Sequence, residues 1–215
     1  MNDEIIIEVN EVFKKYDDAT VLDNVSLEIE KGKIYGLVGR NGSGKTVLMK
    51  CICGLIKPTS GEVKVAGKTV GKDVDILEDI GVIIETPGFI PNYSGFKNLK
   101  LLASVRNKIS NEEIRKSMEI VGLEPKSRKH VGKYSLGMRQ KLGIAQAIME
   151  KPKILILDEP MNGLDNESVA VVRKILKEQA ENGATIILAS HNREDIDVLC
   201  DKVYTMDHGV IECER

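Results

Sequence analysis

No apolar run in the sequence approaches the roughly 18 residues that a bilayer-crossing helix needs, so a membrane-embedded protein is not expected. Cysteine is sparse as well. Cys51, Cys53, Cys200 and Cys213 have neither zinc-finger spacing nor the layout of a disulfide framework, and read as buried free thiols in a reducing cytosol. An excess of one charge is also missing: 31 Lys and Arg against 33 Asp and Glu leave a net charge of −2, which gives no electrostatic reason to expect a nucleic-acid partner. The short basic cluster from Lys126 to His130 reads as a solvated face. The start, Met1-Asn2-Asp3-Glu4, lacks the basic-then-apolar order of a signal peptide. The expectation is a soluble intracellular protein. What is present is globular: 42% apolar and 30% charged residues over 215 positions suit one domain, or one domain with a sizeable insertion, and a full core.

The feature around which the chain is organised is Gly39-Arg40-Asn41-Gly42-Ser43-Gly44-Lys45-Thr46. It follows an apolar run from Ile34 to Val38 and leads into a helical pattern, the context that G-x-x-x-x-G-K-[ST] requires. Glycines let successive backbone N–H groups converge on one concavity, a nest for phosphate oxygens. The following helix would add its free N–H groups and the positive end of its dipole. Lys45 is placed to reach β- and γ-phosphates, and Thr46 to offer its hydroxyl to Mg²⁺.

The rest of the chain alternates strands and helices. Strands are expected at residues 5–9, 25–29, 80–84, 154–157, 185–189 and 202–206, with a turn at residues 14–18 and a hairpin around His208-Gly209. A helix should run from the phosphate loop to about Ile56, and Pro58-Thr59-Ser60-Gly61 should break into a short strand pair. From Glu85 the character changes: residues 87–96 are rich in Pro and aromatics, and residues 97–149 favour helices, with a good helix start at Asn111. Uninterrupted apolar strands flanked by helices predict an α/β fold with a mainly parallel sheet covered on both faces. The predicted division is a core with an antiparallel β part (1–85 and 150–215) and an inserted helical subdomain (86–149).

Asp158-Glu159 ends one of the apolar strands, where ligands sit in open α/β sheets. Asp158 would hold Mg²⁺ through a water, and Glu159 would orient or deprotonate a water attacking the γ-phosphate.

With these pieces in order, the chain resembles the nucleotide-binding subunits of ATP-binding-cassette (ABC) transporters over almost all of its length. Residues 158–165, Asp-Glu-Pro-Met-Asn-Gly-Leu-Asp, match that family's Walker B segment and D-loop. Tyr134-Ser135-Leu136-Gly137-Met138 stands where the family has its L-S-G-G-Q signature. Ser190-His191 matches its switch histidine, and Tyr16 stands where an aromatic stacks on adenine, although Phe13 could exchange roles with it. The resemblance implies a P-loop NTPase core and hydrolysis of ATP with Mg²⁺. It also implies a head-to-tail homodimer or paired cassette in which Ser135 and Gly137 of one copy meet the γ-phosphate held by the other. His191 would contact the same phosphate. A separate membrane permease is implied too, contacting roughly Glu85–Phe96 and placing the chain at the inner face of the cell membrane.

Two departures stand out. Glu85 replaces the family's Gln and would bind Mg²⁺ more firmly as a charged oxygen donor, unless it is a solvated loop acid. In the signature, Leu136 replaces Gly and Met138 replaces Gln, with Ser135 and Gly137 retained. Both features are similar to cassettes of bacitracin- and lantibiotic-resistance exporters, which points to export of a peptide antibiotic or related compound. Phe89, Tyr93 and Phe96 form either a partner groove or part of the core. A soluble non-transport ABC ATPase and an ATP-clamping module with little turnover are the alternatives.

Overall fold

The structure, a computed structural model, describes residues 4–75 and 77–214. Met1 to Asp3 of the acidic start lie outside the described residues.

Two sheets form the framework. The first is antiparallel: β1 (Ile5–Tyr16), β2 (Ala19–Glu30), β4 (Ser60–Val65) and β5 (Lys68–Thr69) run in the order β2-β1-β4-β5. The second has the order β10-β9-β3-β8-β7-β6, built from β3 (Ile34–Val38), β6 (Ile80–Ile83), β7 (Ile154–Asp158), β8 (Thr185–Ala189), β9 (Lys202–Asp207) and β10 (Val210–Cys213). Its strands pair in parallel from β6 to β9, and β10 closes the edge antiparallel to β9 through the His208-Gly209 hairpin. The expected α/β class with a mainly parallel sheet and an antiparallel part is the observed one.

Several boundaries differ from expectation, among them the second strand, which begins at Ala19 rather than at residue 25. The first strand continues through Lys14, Lys15 and Tyr16, and the turn is the two-residue Asp17-Asp18, with Asp17 at φ 49°. Cross-strand pairing as far as Tyr16–Ala19 overrides the charged turn composition. Helix α1 (Lys45–Ile52) stops short of Ile56, because Gly54 adopts φ 77° and the Leu55 amide turns back to the Lys50 carbonyl.

Period two along the parallel strands sorts the core. Leu155, Leu157, Ile186 and Leu188 face one buried cluster, shared with helices α2 (Gly95–Arg106), α3 (Asn111–Ile120), α4 (Leu136–Ile148), α5 (Asn166–Glu181) and α6 (Arg193–Leu199). Tyr35, Leu37, Ile156 and Ile187 face the other, shared with α1 and the antiparallel sheet. The block between β6 and β7 contains α2, α3 and α4; Ser110 starts α3 with a full capping box to Glu113. Helix α4 lies directly on the sheet edge. A Cβ at Gly81 in β6 would sit 2.1 Å from the Ala147 carbonyl oxygen, and one at Gly143 would sit 2.8 Å from the Pro87 ring. Only glycine permits that approach.

Candidate functional site

The phosphate loop is held in place by glycine geometry. Gly39 takes φ 153°, and a Cβ there would lie 2.2 Å from the Met206 carbonyl oxygen and 2.8 Å from Ser43 Oγ. Lys45 Nζ donates to the carbonyls of Gly39 (2.7 Å) and Arg40 (2.9 Å), so the ammonium is stored within the loop. Burial lowers its pKa, an effect that Asp158 and Glu159 partly oppose.

Two observations suit the loop to an anion. Helices α2 to α6 are all capped by a side chain, from Ser94, Ser110, Ser135, Asp165 and Asn192, whereas α1 has no side-chain cap. Its first N–H groups are therefore free for a ligand. Ser43 Oγ is buried and has no hydrogen-bond partner among the described residues. A buried hydroxyl without a partner costs about 1–3 kcal/mol, which a phosphate oxygen would recover.

Facing the loop, the ends of β7 and β8 converge. Thr46 Oγ1 donates to Asp158 Oδ2 at 2.8 Å. Glu159 is left-handed (φ 49°), with its amide bonded to the Ala189 carbonyl (2.9 Å). Such a conformation costs on the order of 1 kcal/mol for a residue with a Cβ and re-aims its side chain. The Glu159 carboxylate meets His191 Nδ1 at 2.8 Å. Gln140 Nε2, from α4, donates to the carbonyls of Glu159 (3.1 Å) and Pro160 (2.9 Å) and clamps the same backbone.

Glu85 follows β6 and is also left-handed (φ 59°). It forms an ion pair with Lys50, one turn beyond Thr46 on α1. Its carboxylate therefore borders the site with a cation already in place.

A cleft of about 530 Å³ brings together Asn41 to Thr46, Glu85, Asp158 and Glu159, along with Val21, Arg139, Gln140 and Asn162. His191 joins through Glu159. Tyr16 and Phe13 do not line the cleft; Tyr16 is exposed, with the Lys14 ammonium 4.9 Å above its ring. Ser135 and Gly137 do not line it either. Ser135 caps α4 by accepting from the Met138 amide at 3.2 Å. Lys50 and Gln140 are contributors that the sequence reading missed: Gln140 lies just past the signature, and Lys50 one turn past the phosphate loop. Of the three clustered aromatics, Phe89 and Phe96 are half-buried against the core, the plainer of the two readings offered for them.

A model of the ABC transporter family matches residues 22–162. The chain is 48% identical over 207 residues, 96% of its length and 95% of the relative's, to the uncharacterized ABC transporter ATP-binding protein YybJ of Bacillus subtilis. It is 44% identical over 208 residues (96% and 68% of the two chains) to the bacitracin transport ATP-binding protein BcrA of Enterococcus faecalis. Among solved structures, the fold matches the dimeric post-hydrolysis state of the ATP-binding cassette MJ0796 bound to ADP and Pi, with a TM-score of 0.87, 22% identity and coverage of 98% and 99%.

Proposed function

The chain belongs to the ABC transporter ATP-binding family, an ATP-hydrolysing transport cassette, and from that premise we propose how its own residues do the work. The observation that carries the reading is the Glu159–His191 pair set beside the Thr46–Asp158 pair at the mouth of the phosphate loop. MgATP is the substrate. Gly39, Arg40, Asn41, Gly42, Ser43 and Gly44 wrap the phosphates through backbone N–H groups and the Ser43 hydroxyl. Lys45 exchanges its loop carbonyls for β- and γ-phosphate oxygens. Thr46, Asp158 and Glu85 supply hard oxygen donors suited to Mg²⁺. Among the described residues there is no cluster of His, Cys, Asp and Glu that would bind a metal by itself, in keeping with a metal that arrives with the nucleotide.

Glu159 accepts a proton from a water as its oxygen attacks the γ-phosphorus. The bond from the γ-phosphorus to the β–γ bridging oxygen breaks, giving ADP and phosphate. His191 Nδ1–H donates to the Glu159 carboxylate, and in the imidazolium form Nε2–H also donates, to a γ-phosphate oxygen. Tyr16 serves the adenine once it is freed from Lys14. Ser135 and Gly137 act on the nucleotide of a second copy, a reading supported by their absence from the same chain's cleft.

The membrane partner docks beside this site. A second cleft, of about 480 Å³, shares Thr86 and Pro87 with the nucleotide cleft and is lined by Leu55, Leu102 and Val105. These three side chains are exposed and apolar, as suits the core of an interface. No helix among the described residues is long and apolar enough to cross a membrane. Membership of the transporter family supports a separate permease that carries the cargo and holds the chain at the inner face. Similarity to the bacitracin transport protein supports export of a peptide antibiotic or related compound.

The test is steady-state phosphate release from the purified chain with MgATP, together with identification of its co-purifying membrane subunit. Turnover abolished by Glu159→Gln and recovery of a polytopic membrane protein are expected. Recovery with ribosomes instead would overturn the transport reading, and absence of turnover would leave an ATP clamp.

A further inference from the structure

Away from the nucleotide cleft, a partly buried ionic network joins α5 to α6. Arg173 spreads its guanidinium over two carboxylates: Nε and Nη2 donate to Asp195 Oδ1 at 2.9 and 2.6 Å, and Nη1 donates to Glu194 Oε1 at 2.8 Å. Asp195 is 2% exposed, and its other oxygen accepts from Ser190 Oγ at 3.2 Å. The same hydroxyl accepts the Asn192 amide at 3.1 Å, and Asn192 Oδ1 accepts the Glu194 amide at 3.0 Å.

These bonds enclose one residue. His191 stands between Ser190 and Asn192, and both neighbours are held through the Ser190 hydroxyl. Its own side chain is 71% exposed and, among the described residues, is anchored by Glu159 alone. Packing therefore does little to orient the imidazole, and the backbone at residues 190–192 must do so. We infer that Arg173, acting through Asp195 and Ser190, is a positioning residue for hydrolysis, fixing the loop that aims His191. The inference rests on the role given above to His191. Arginine suits the task because its planar fork engages two carboxylates in a fixed geometry. Its pKa is raised by Glu194 and Asp195, in accord with a guanidinium held by both.

The test is a double-mutant cycle on the full chain. Arg173→Met is expected to lower kcat for MgATP about tenfold, the scale of a sub-ångström misplacement, with KM changed less than twofold. Arg173→Lys should recover part of the loss. Ser190→Ala, which cuts the last link without leaving Asp195 unpaired from Arg173, should move kcat in the same direction if Arg173→Met fails to fold. In a His191→Ala background, Arg173→Met (or Ser190→Ala in its place) should cost nothing further in kcat. An equal fold-loss in both backgrounds would make the network merely structural and overturn the inference, as would unchanged kcat in Arg173→Met or, if that variant does not fold, in Ser190→Ala. Unchanged turnover in His191→Ala alone would instead overturn the role of His191, a separable failure.

Discussion

Glu85 and Glu159 occupy equivalent places on neighbouring strands. β6 and β7 pair in parallel with Ile83 opposite Leu157, so each glutamate lies two residues beyond a matched pair. Both are left-handed, at φ 59° and 49°. Their surroundings separate them. Glu85 has a side chain 64% exposed and a lysine partner. Glu159 is 27% exposed, has a histidine partner, and is clamped through its backbone by Ala189 and Gln140. An ammonium is a permanent cation at neutral pH, whereas an imidazole can stand in either protonation state. A carboxylate at a strand end is thus a position; its partner and its rigidity give it a role. The less exposed, backbone-clamped Glu159 suits the proton-accepting role proposed for it, and the exposed, lysine-paired Glu85 suits the metal-donor role proposed for it.

The largest test of this contrast is Glu159→Gln, expected to lower phosphate release by about 10² to 10⁴, the usual weight of a general base, with ATP binding kept. It should also accumulate an ATP-dependent dimer on size exclusion. Glu85→Gln losing as much turnover would erase the distinction. Lys45→Ala should weaken ATP binding roughly 10- to 100-fold in a fluorescent-nucleotide titration, since one charge-assisted contact is worth about 1.5–3 kcal/mol. Glu85→Gln itself should keep turnover within about tenfold and raise the Mg²⁺ concentration needed for half-activity. Lys50→Met should shift that Mg²⁺ requirement the other way, because it frees Glu85, with only a degree or so of change in Tm for a pair whose carboxylate is exposed.

The smallest effect separates the scaffold from the site. Glu30, at the end of β2, bridges Lys202 and Lys33, and bonding first to Lys202 and then to Lys33 lowers its pKa from the ordinary 4.5. The stability it contributes is present above that ordinary value and is lost as pH falls through the lowered one. Circular dichroism below pH 4.5 should show Glu30→Gln with a shallower acid loss than the parent, while turnover at neutral pH is unchanged.

The phosphate loop and Asp158-Glu159 were legible because their chemistry is local: a fixed spacing and an apolar strand that must end where ligands sit. The ends of β1 and α1 were misjudged, since pairing to β2 and one left-handed glycine outweigh composition. The partners of the glutamates were illegible for another reason. Lys50 and Glu85 are 35 residues apart, as Arg173 and Asp195 are 22 apart, and nothing in a charged residue's own neighbourhood names a distant partner. Glu85 itself was visible only as a departure from a family pattern. Its ion pair emerged from the packing of α1 against the end of β6.

Helix α4 has 13 residues and is about 20 Å long. Along that length it carries Ser135 at its cap, Gln140 on the Glu159 backbone, Gly143 against Pro87 and Ala147 against Gly81. At Gly81 the Ala147 carbonyl rests on the strand with no side chain between them. One helix thus ties its capped end, the backbone that carries Glu159 and the loop that carries Glu85 and Pro87 into a single connected element.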